Sequence, residues 1–107
     1  MMATKYQRGA ALERRCIKRL EREGWRCVRS AGSHGPFDVV AYHHLAWLCI
    51  QVKGGGWPGL IEMETLQGEP VPHSNTRIEV WRYDKGKRNP RIKRWYPSAG
   101  AWEEVTV

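Results

Sequence analysis

The chain has 107 residues, which is enough for one domain with a hydrophobic core and too few for two. Hydrophobic residues make up 41% of it, so a chain that is disordered throughout is excluded. Eighteen lysines and arginines against eleven acidic residues give a net charge of +7, which favours a polyanionic partner. We therefore predict a single globular domain over residues 1–107.

The first residues, MMATKYQRGAALERR, contain no apolar segment of the kind found in signal peptides. No later run approaches the 18 apolar residues that a membrane span needs, so we expect no membrane association. The three cysteines, Cys16, Cys27 and Cys49, lack CxxC spacing and lie in apolar patterns, which predicts reduced core thiols. The expected location is the cytoplasm of a bacterial, archaeal or phage-infected host cell.

Periodicity and breaker residues predict the elements in chain order. A helix covers residues 4–23 and ends before Gly24. Strands follow at WRCVRS, DVVAY and WLCIQVK, with HHLA as the turn between the last two. Pro58 opens a short helix that runs to about Gln67, and GEPVPHSN forms a loop. IEVWRY and RIKRWY are strands joined by a turn, and WEEVTV holds a last short strand.

The first helix is predicted to be amphipathic, with a basic outer face. On a helical wheel of about 100° per residue, Glu13 falls between Leu20 and Tyr6, in the middle of the apolar arc. A carboxylate that points into a protein needs a cation, a donor or a metal as its partner. The sequence leaves two roles open for Glu13, a structural ion pair with an arginine or membership of a functional site.

The turn HHLA fixes the register of the two strands that it joins. A four-residue loop pairs Tyr42 with Trp47 and, further along, Asp38 with Gln51. Lys53 follows two residues later on the same face. With Glu13 these residues supply two carboxylates, an amide oxygen and a cation, a set suited to Mg²⁺ and to cleavage of phosphodiesters.

Basic residues concentrate in two zones of the chain. Nine of them lie between Lys5 and Arg29, six lie between residues 85 and 94, and three lie elsewhere. Two zones suggest a long anionic ligand, although a merely solvated basic surface is the alternative. The predicted DNA contacts are Lys5, Arg8, Arg29, Lys85, Lys87, Arg88 and Arg91.

Three motifs carry a resemblance to a known family. The pattern GxxxER over residues 9–14, the segment RSAGS before GPFD, and QVK after the next strand resemble the PD-(D/E)XK nucleases. Within that superfamily they are similar to the archaeal and phage Holliday junction resolvases, over residues 5–53. The resemblance implies a restriction-endonuclease-like α/β core, a mixed β-sheet flanked by helices.

The resemblance also assigns roles to residues of this chain. The metal site would consist of Glu13, Asp38, Gln51 and Lys53, with Arg14 assisting. A loop serine before the aspartate would be required for activity, and Ser33 is the candidate, with Ser30 as its rival. The implied cofactor is Mg²⁺, with Mn²⁺ as a substitute, and no small-molecule cofactor is expected.

Gln51 departs from the family pattern, because an acidic residue is expected at this position. An amide oxygen still ligates Mg²⁺, and the main-chain carbonyl of Val52 offers a further ligand, so weaker metal binding is predicted. A decayed site or an inactivating substitution would give the same sequence. Glu62 or Glu64 could replace the lost charge, although the solvent face of a short helix is the simpler interpretation of both.

Other residues attract weaker hypotheses. His43 and His44 lie in a predicted turn without further metal ligands, so we expect surface histidines, and His34 is a candidate phosphate contact. Trp57, after three glycines, is expected to be exposed and to stack on an unpaired base at a branch point. Gly54 to Gly56 are expected to form a hinge or to allow a close backbone approach.

Together these features predict a Mg²⁺-dependent endonuclease that binds branched DNA and resolves four-way (Holliday) junctions. The two-fold symmetry of such a junction calls for two active sites and hence a homodimer. Two alternatives remain open: a PD-(D/E)XK nuclease that acts on flaps or ends, and a DNA-binding module whose site has decayed at Gln51.

Overall fold

A computed structural model describes residues 4–30, 35–72 and 75–106 of the chain. Their strands form one mixed sheet in the order β1-β2-β3-β4-β5-β6, in which only β3 and β4 are parallel to each other. The elements are α1 (Lys5–Arg22), β1 (Arg26–Arg29), β2 (Val39–His43), β3 (Ala46–Gly54), α2 (Leu60–Gln67), β4 (Thr76–Tyr83), β5 (Arg91–Tyr96) and β6 (Ala101–Val105). The predicted α/β architecture, a mixed sheet with helices, is confirmed.

Helix α1 has the predicted extent, because residues at its two ends act as caps. The Thr4 hydroxyl accepts a hydrogen bond from the Gln7 amide, and the Gln7 side chain accepts one from the Thr4 amide. This capping box satisfies two amides that a helix start otherwise leaves unpaired. Ala10, Cys16 and Leu20 are buried as expected, whereas Tyr6, one turn before Ala10, stays 70% exposed.

The hairpin of β2 and β3 has the predicted register. Tyr42 lies opposite Trp47, and Val39 lies opposite Ile50. His43 pairs with Ala46, so the turn has two residues and the predicted four-residue turn was wrong. The Asp38 amide donates a hydrogen bond to the Ile50 carbonyl at 2.9 Å, one residue out of this register, so the regular pairing ends at Val39 and Ile50. The predicted pair of Asp38 and Gln51 is therefore not part of the ladder.

The sheet separates two apolar cores. The core under α1 contains Cys16, Leu20, Val39, Ala41, Leu48, Ile50, Trp81, Tyr83 and Ile92. The core on the other face contains Phe37, Cys49, Leu66, Ile78 and Val80. Because neighbouring residues of a strand point to opposite faces, Gln51 and Lys53 share the second face with Cys49, away from α1.

Two details differ from the sequence-based expectations or refine them. Helix α2 begins at Leu60 with Gly59 as its N-cap, so the prediction that Pro58 opens it was wrong by two residues. Gly54 provides the expected close approach, because a Cβ placed there would meet Leu12 Cδ1 of α1 at 3.0 Å. Gly55 and Gly56 have positive φ values of 64° and 70°, a conformation that favours glycine in this turn.

Cys16 and Cys49 are buried and Cys27 is half-buried, and all three are free thiols, as predicted. Among the residues that the structure describes, no helix is both long and apolar enough to cross a membrane.

Candidate active site

Asp38 lies just before β2, at the sheet end where β3 finishes. Its Oδ2 accepts a hydrogen bond of 2.8 Å from the Val52 amide on β3, which fixes the orientation of the carboxylate. Burial raises the pKa of Asp38, the Val52 hydrogen bond opposes this rise, and the nearby Glu13 carboxylate adds to it. Lys53 and Arg29 lie close enough to lower the same pKa. Asp38 is therefore a half-buried carboxylate between a second carboxylate and two cations.

The side-chain oxygen of Gln51 lies at this site and has no hydrogen-bond partner among the described residues. Its Oε1 is buried and accepts no hydrogen bond within the part of the chain that the structure describes. A buried amide oxygen in this state costs about 1–3 kcal/mol unless a donor or a cation satisfies it. The Asp38 carboxylate binds the amide of Val52, the residue that follows Gln51 in β3, so the two side chains belong to the same end of the sheet.

Glu13 is bound by an arginine. Its Oε1 accepts a hydrogen bond of 2.8 Å from Arg29 Nε, and the two side chains are only 17% and 22% exposed. This bond raises the pKa of Arg29, and Tyr6 contributes in the same direction. Of the two roles left open by the sequence, the structure shows the ion pair, and Glu13 also acts electrostatically on Asp38. Its membership of a functional site stays a prediction. Arg29, a predicted DNA contact, belongs to the interior of the site.

The family model of the archaeal Holliday junction resolvase (Hjc) matches residues 4–57 of the chain. This match covers half of the chain and includes Glu13, Asp38, Gln51 and Lys53. The chain belongs to this family. The resemblance inferred from the sequence motifs is thereby confirmed, and the resolvase is a nuclease that acts in DNA recombination.

The fold agrees with this assignment. One similar solved structure is that of Hjc from Archaeoglobus fulgidus, a Holliday junction resolvase from an archaeal hyperthermophile, at 1.6 Å resolution. It superposes on this chain with a TM-score of 0.59. The two sequences are 23% identical, and the superposition covers 77% of this chain and 72% of that one. The two proteins therefore share a fold.

The donor set of the resolvase fits a hard divalent cation. Asp38 offers a carboxylate, Gln51 offers an unpaired buried oxygen, and the Val52 carbonyl follows directly in β3. Glu13 lies nearby, but Arg29 occupies one of its oxygens. No group of three or more His, Cys, Asp or Glu side chains that could hold a metal exists among the described residues. A metal at this site would thus rely on oxygen donors that include an amide and on water, a pattern that suits Mg²⁺.

The remaining site candidates have different positions. Arg14 is exposed on α1 and makes no hydrogen bond or ion pair with the described part of the chain. Ser33 and His34 lie outside the described residues, whereas the amide of Ser30 donates a 2.9 Å hydrogen bond to the Asp38 carbonyl. Glu62 and Glu64 are exposed on α2, as the simpler interpretation of both expected.

The two turn histidines, His43 and His44, are both exposed, as expected. His43 packs against the Trp25 ring at a centroid distance of 4.1 Å, and its Nδ1 accepts a hydrogen bond from the Leu45 amide. These contacts are those of a surface turn.

The predicted DNA contacts occupy three places. Lys5 and Arg8 are exposed in the first turns of α1. Lys85, Lys87 and Arg88 are exposed in the turn between β4 and β5. Arg91 projects from the other face of the sheet, where Glu104 binds it through two hydrogen bonds of 2.8 and 2.9 Å. The second basic zone of the sequence is therefore divided between the two faces.

Trp57 differs most from its expected role. It is half-buried against the second core, and three cations lie over its ring, Lys93 at 4.6 Å and Arg82 and Arg91 at 5.3 Å from the centroid. The ring is therefore engaged with cations, contrary to the expectation of an exposed stacking surface. Arg82 and Lys93 were not among the predicted site residues, because only the pairing of β3, β4 and β5 brings them to the face that carries Gln51 and Lys53.

Proposed function

We propose that the resolvase cuts four-way DNA junctions by metal-assisted hydrolysis at the cluster of Asp38, Gln51, Lys53 and Glu13. The observation that carries this proposal is the buried, unpartnered oxygen of Gln51, next in sequence to the Val52 amide that binds the Asp38 carboxylate. A merely structural strand end would expose the Gln51 oxygen to water or bond it internally. An oxygen left available near a carboxylate and a lysine is typical of a cation site that faces an anionic substrate.

Asp38, Gln51 and the Val52 carbonyl would hold the metal, and Glu13 would contribute through water. When bound, Mg²⁺ supplies electrostatic stabilisation of the charge that develops on the scissile phosphate. The Val52 amide keeps the Asp38 carboxylate in place, so the site needs little rearrangement before it binds. Arg29 holds Glu13 in a fixed position and balances its charge.

Lys53 is the mobile cation of the site and is proposed to act on the attacking water. It lies on the same face as Gln51 and close enough to Asp38 to lower the pKa of that carboxyl. From there its ammonium group can contact a phosphate oxygen, or its neutral form can take a proton from the attacking water. In-line attack would leave a 5′-phosphate and a 3′-hydroxyl.

Paired incisions require two copies of the site. A four-way junction has two-fold symmetry, and one active site reaches one of the two symmetric strands. We therefore propose a homodimer as the active form. Its mass in solution, measured by light scattering with and without junction DNA, tests this part of the proposal.

The central experiment compares DNA shapes in Mg²⁺ and in chelator. The parent protein is incubated with a synthetic four-way junction, a flap and a linear duplex of the same sequence. The proposal expects paired, Mg²⁺-dependent cuts in the junction and little cutting of the duplex. Preferred cutting of the flap would favour the other nuclease specificity, and binding without cutting at any Mg²⁺ concentration would favour a decayed site.

A further inference from the structure

A basic groove lies between α1 and the turn that joins β4 to β5. It has a volume of about 790 Å³ and is open to solvent. The residues that line it are Arg15, Lys18, Arg19, Glu21, Arg22, Tyr83, Arg88, Asn89 and Pro90. Five of these carry a positive charge and one carries a negative charge. We name it the helix–turn groove.

Hydrogen bonds between the helix and the turn hold the groove in shape. Arg15 Nη2 donates to the carbonyls of Lys87 and Arg88, at 3.1 and 2.9 Å. The Arg15 guanidinium also lies over the Tyr83 ring, 4.5 Å from its centroid. Arg19 Nη1 donates to Asn89 Oδ1 at 3.0 Å. Hydrogen bonds between residues 70 to 73 positions apart in the sequence therefore join the walls of the groove.

The contacts that shape the groove leave most of its charge uncompensated. The acceptors of Arg15 and Arg19 across the groove are carbonyl and amide oxygens, which carry no net charge. Only Arg19 also has a carboxylate partner, Glu23 at 3.4 Å. Within the described part of the chain, no ion pair involves Lys18 or Arg88. Such a concentration of like charge costs stability, and an anionic ligand offsets that cost.

The groove and the catalytic cluster lie at the same end of the sheet. Strands β3 and β4 are parallel, and Gly54, next to Lys53, pairs with Tyr83. The turn follows directly after Tyr83, so it projects beyond the strand end that carries Lys53. Lys53 lies on the face away from α1, whereas the groove lies on the α1 face. One strand spacing of about 5 Å, about three residues of turn at about 3.3 Å each and about 10 Å across the sheet, taken at right angles, separate Lys53 from the groove by about 15 Å. This distance corresponds to about four nucleotides of a DNA strand at about 3.4 Å of rise each.

We propose that the helix–turn groove binds backbone phosphates of the DNA about four nucleotides from the phosphate that is cut. The inference rests on the proposed function, since it takes DNA cleaved at Asp38 as the ligand. Lys18 and Arg88 provide the free charges, while Arg15 and Arg19 hold the turn against the helix. The groove thereby extends the contact of the protein along one arm of the junction and fixes the direction in which that arm leaves the active site.

The first test measures junction affinity in chelator, where no cutting is required. The variant Lys18→Gln/Arg88→Gln removes two groove charges and leaves the Arg15 and Arg19 contacts in place. The control Arg26→Gln/Arg77→Gln removes two exposed charges from the opposite end of the sheet, so both proteins have the same net charge. Circular dichroism checks that both variants are folded.

Loss of two phosphate contacts should flatten the slope of log K against log salt by about 1.8 for the groove variant. Extrapolated from 1 M to 0.1 M salt, this slope corresponds to a loss of affinity of up to about 60-fold. The control should keep the slope of the parent. Equal losses in both variants would show a mere net-charge effect, and an unchanged slope in the groove variant would show that the groove does not contact DNA. Either result overturns the proposal.

The second test locates the contact on the DNA. Single methylphosphonates, which are neutral, replace the phosphates one at a time within six nucleotides of the branch point on each strand. The parent should lose affinity at one or two positions to which the groove variant is insensitive, and these should lie about four nucleotides from the cut. An identical pattern for parent and groove variant refutes the inference. Because both tests measure binding alone, a parent that fails to cut would contradict the proposed catalysis separately.

Discussion

Gln51→Glu is expected to make the stability of the resolvase depend on divalent cations. The change places a second carboxylate at residue 51, whose oxygen has no partner and which precedes the Val52 amide that binds Asp38. Two unit charges about 5 Å apart repel each other by about 3 kcal/mol at an effective dielectric constant of 20. Both side chains are half-buried, and solvent screening reduces this to about 1.5 kcal/mol. The variant should therefore be less stable than the parent when no cation is present.

Thermal unfolding measures this effect directly. A loss of about 1.5 kcal/mol lowers the Tm of a domain of this size by about 6–12 °C in chelator. Mg²⁺ should reverse the loss, because a ligand that binds only the folded state stabilises it by mass action. The matched control is Gln67→Glu, which adds the same charge on α2, where the Gln67 side chain bonds Trp102. The control should show no additional response to Mg²⁺.

The same pair of proteins should differ in cleavage. Gln51→Glu should reach half-maximal cutting of a four-way junction at a lower Mg²⁺ concentration, at the same phosphates as the parent. Identical Mg²⁺ dependence of both Tm and cutting in parent and variant would refute the assignment of residue 51 as a ligand. Cutting by the variant alone would show that Gln51 silences the site.

Asp38→Asn should abolish cutting in single-turnover assays while junction binding in gel-shift assays persists or tightens, and parental cutting rates would contradict the proposed site. Glu79→Gln should lower the free energy of unfolding by about 3 kcal/mol in urea titrations, because Glu79 is 3% exposed and bonds Arg94 at 2.7 Å. A loss below about 1 kcal/mol would refute this role. Burial raises the pKa of Cys27 and of Cys49 to about 11, so at pH 8 about one thiol in a thousand is ionised. Iodoacetamide should label the folded protein slowly and the denatured protein fast by mass spectrometry, and equal rates would contradict the burial of these thiols.

The parts of the fold that sequence reasoning predicted depend on local signals. Thr4 and Gln7 form a capping box three residues apart, so the start of α1 is encoded within one turn. The register of β2 and β3 follows from a short turn and from alternation, which place Tyr42 opposite Trp47 without long-range information. The approach of Asp38 to β3 could therefore be predicted, whereas the break in register at Asp38 could not.

The parts that could not be predicted require contacts between distant segments. The position of Glu13 in the apolar arc of α1 showed that its carboxylate needs a partner. Several arginines of the chain could have been that partner, and only the packing of α1 on β1 selects Arg29. The sequence contained no comparable signal for Glu79. Apolar and polar residues alternate around Glu79 in β4, which predicts that it is exposed, but the parallel pairing with β3 makes β4 a central strand with both faces buried. The position of Trp57 over Arg82 depends on both the glycine turn and the order of the strands.

The pairing of three strands sets three cations side by side next to the candidate site. Lys53 lies opposite Arg82, and Arg82 lies opposite Arg91. Like charges in direct cross-strand pairs are destabilising, so each cation needs compensation. Asp84 bonds Arg82 at 2.7 Å, Glu104 bonds Arg91 through both oxygens, and the Trp57 ring attracts both without cancelling their charge.

Lys53 differs from the other two cations of this row. No carboxylate within the described residues forms an ion pair with it, and the acidic group that it influences is Asp38. Other groups compensate the charges of Arg82 and Arg91. The Lys53 charge therefore acts on the Asp38 carboxylate and on any anion that approaches it. Strand order therefore supplies Arg82 and Arg91 with their partners and leaves the Lys53 charge uncompensated beside the candidate site, two residues after Gln51 on the same strand.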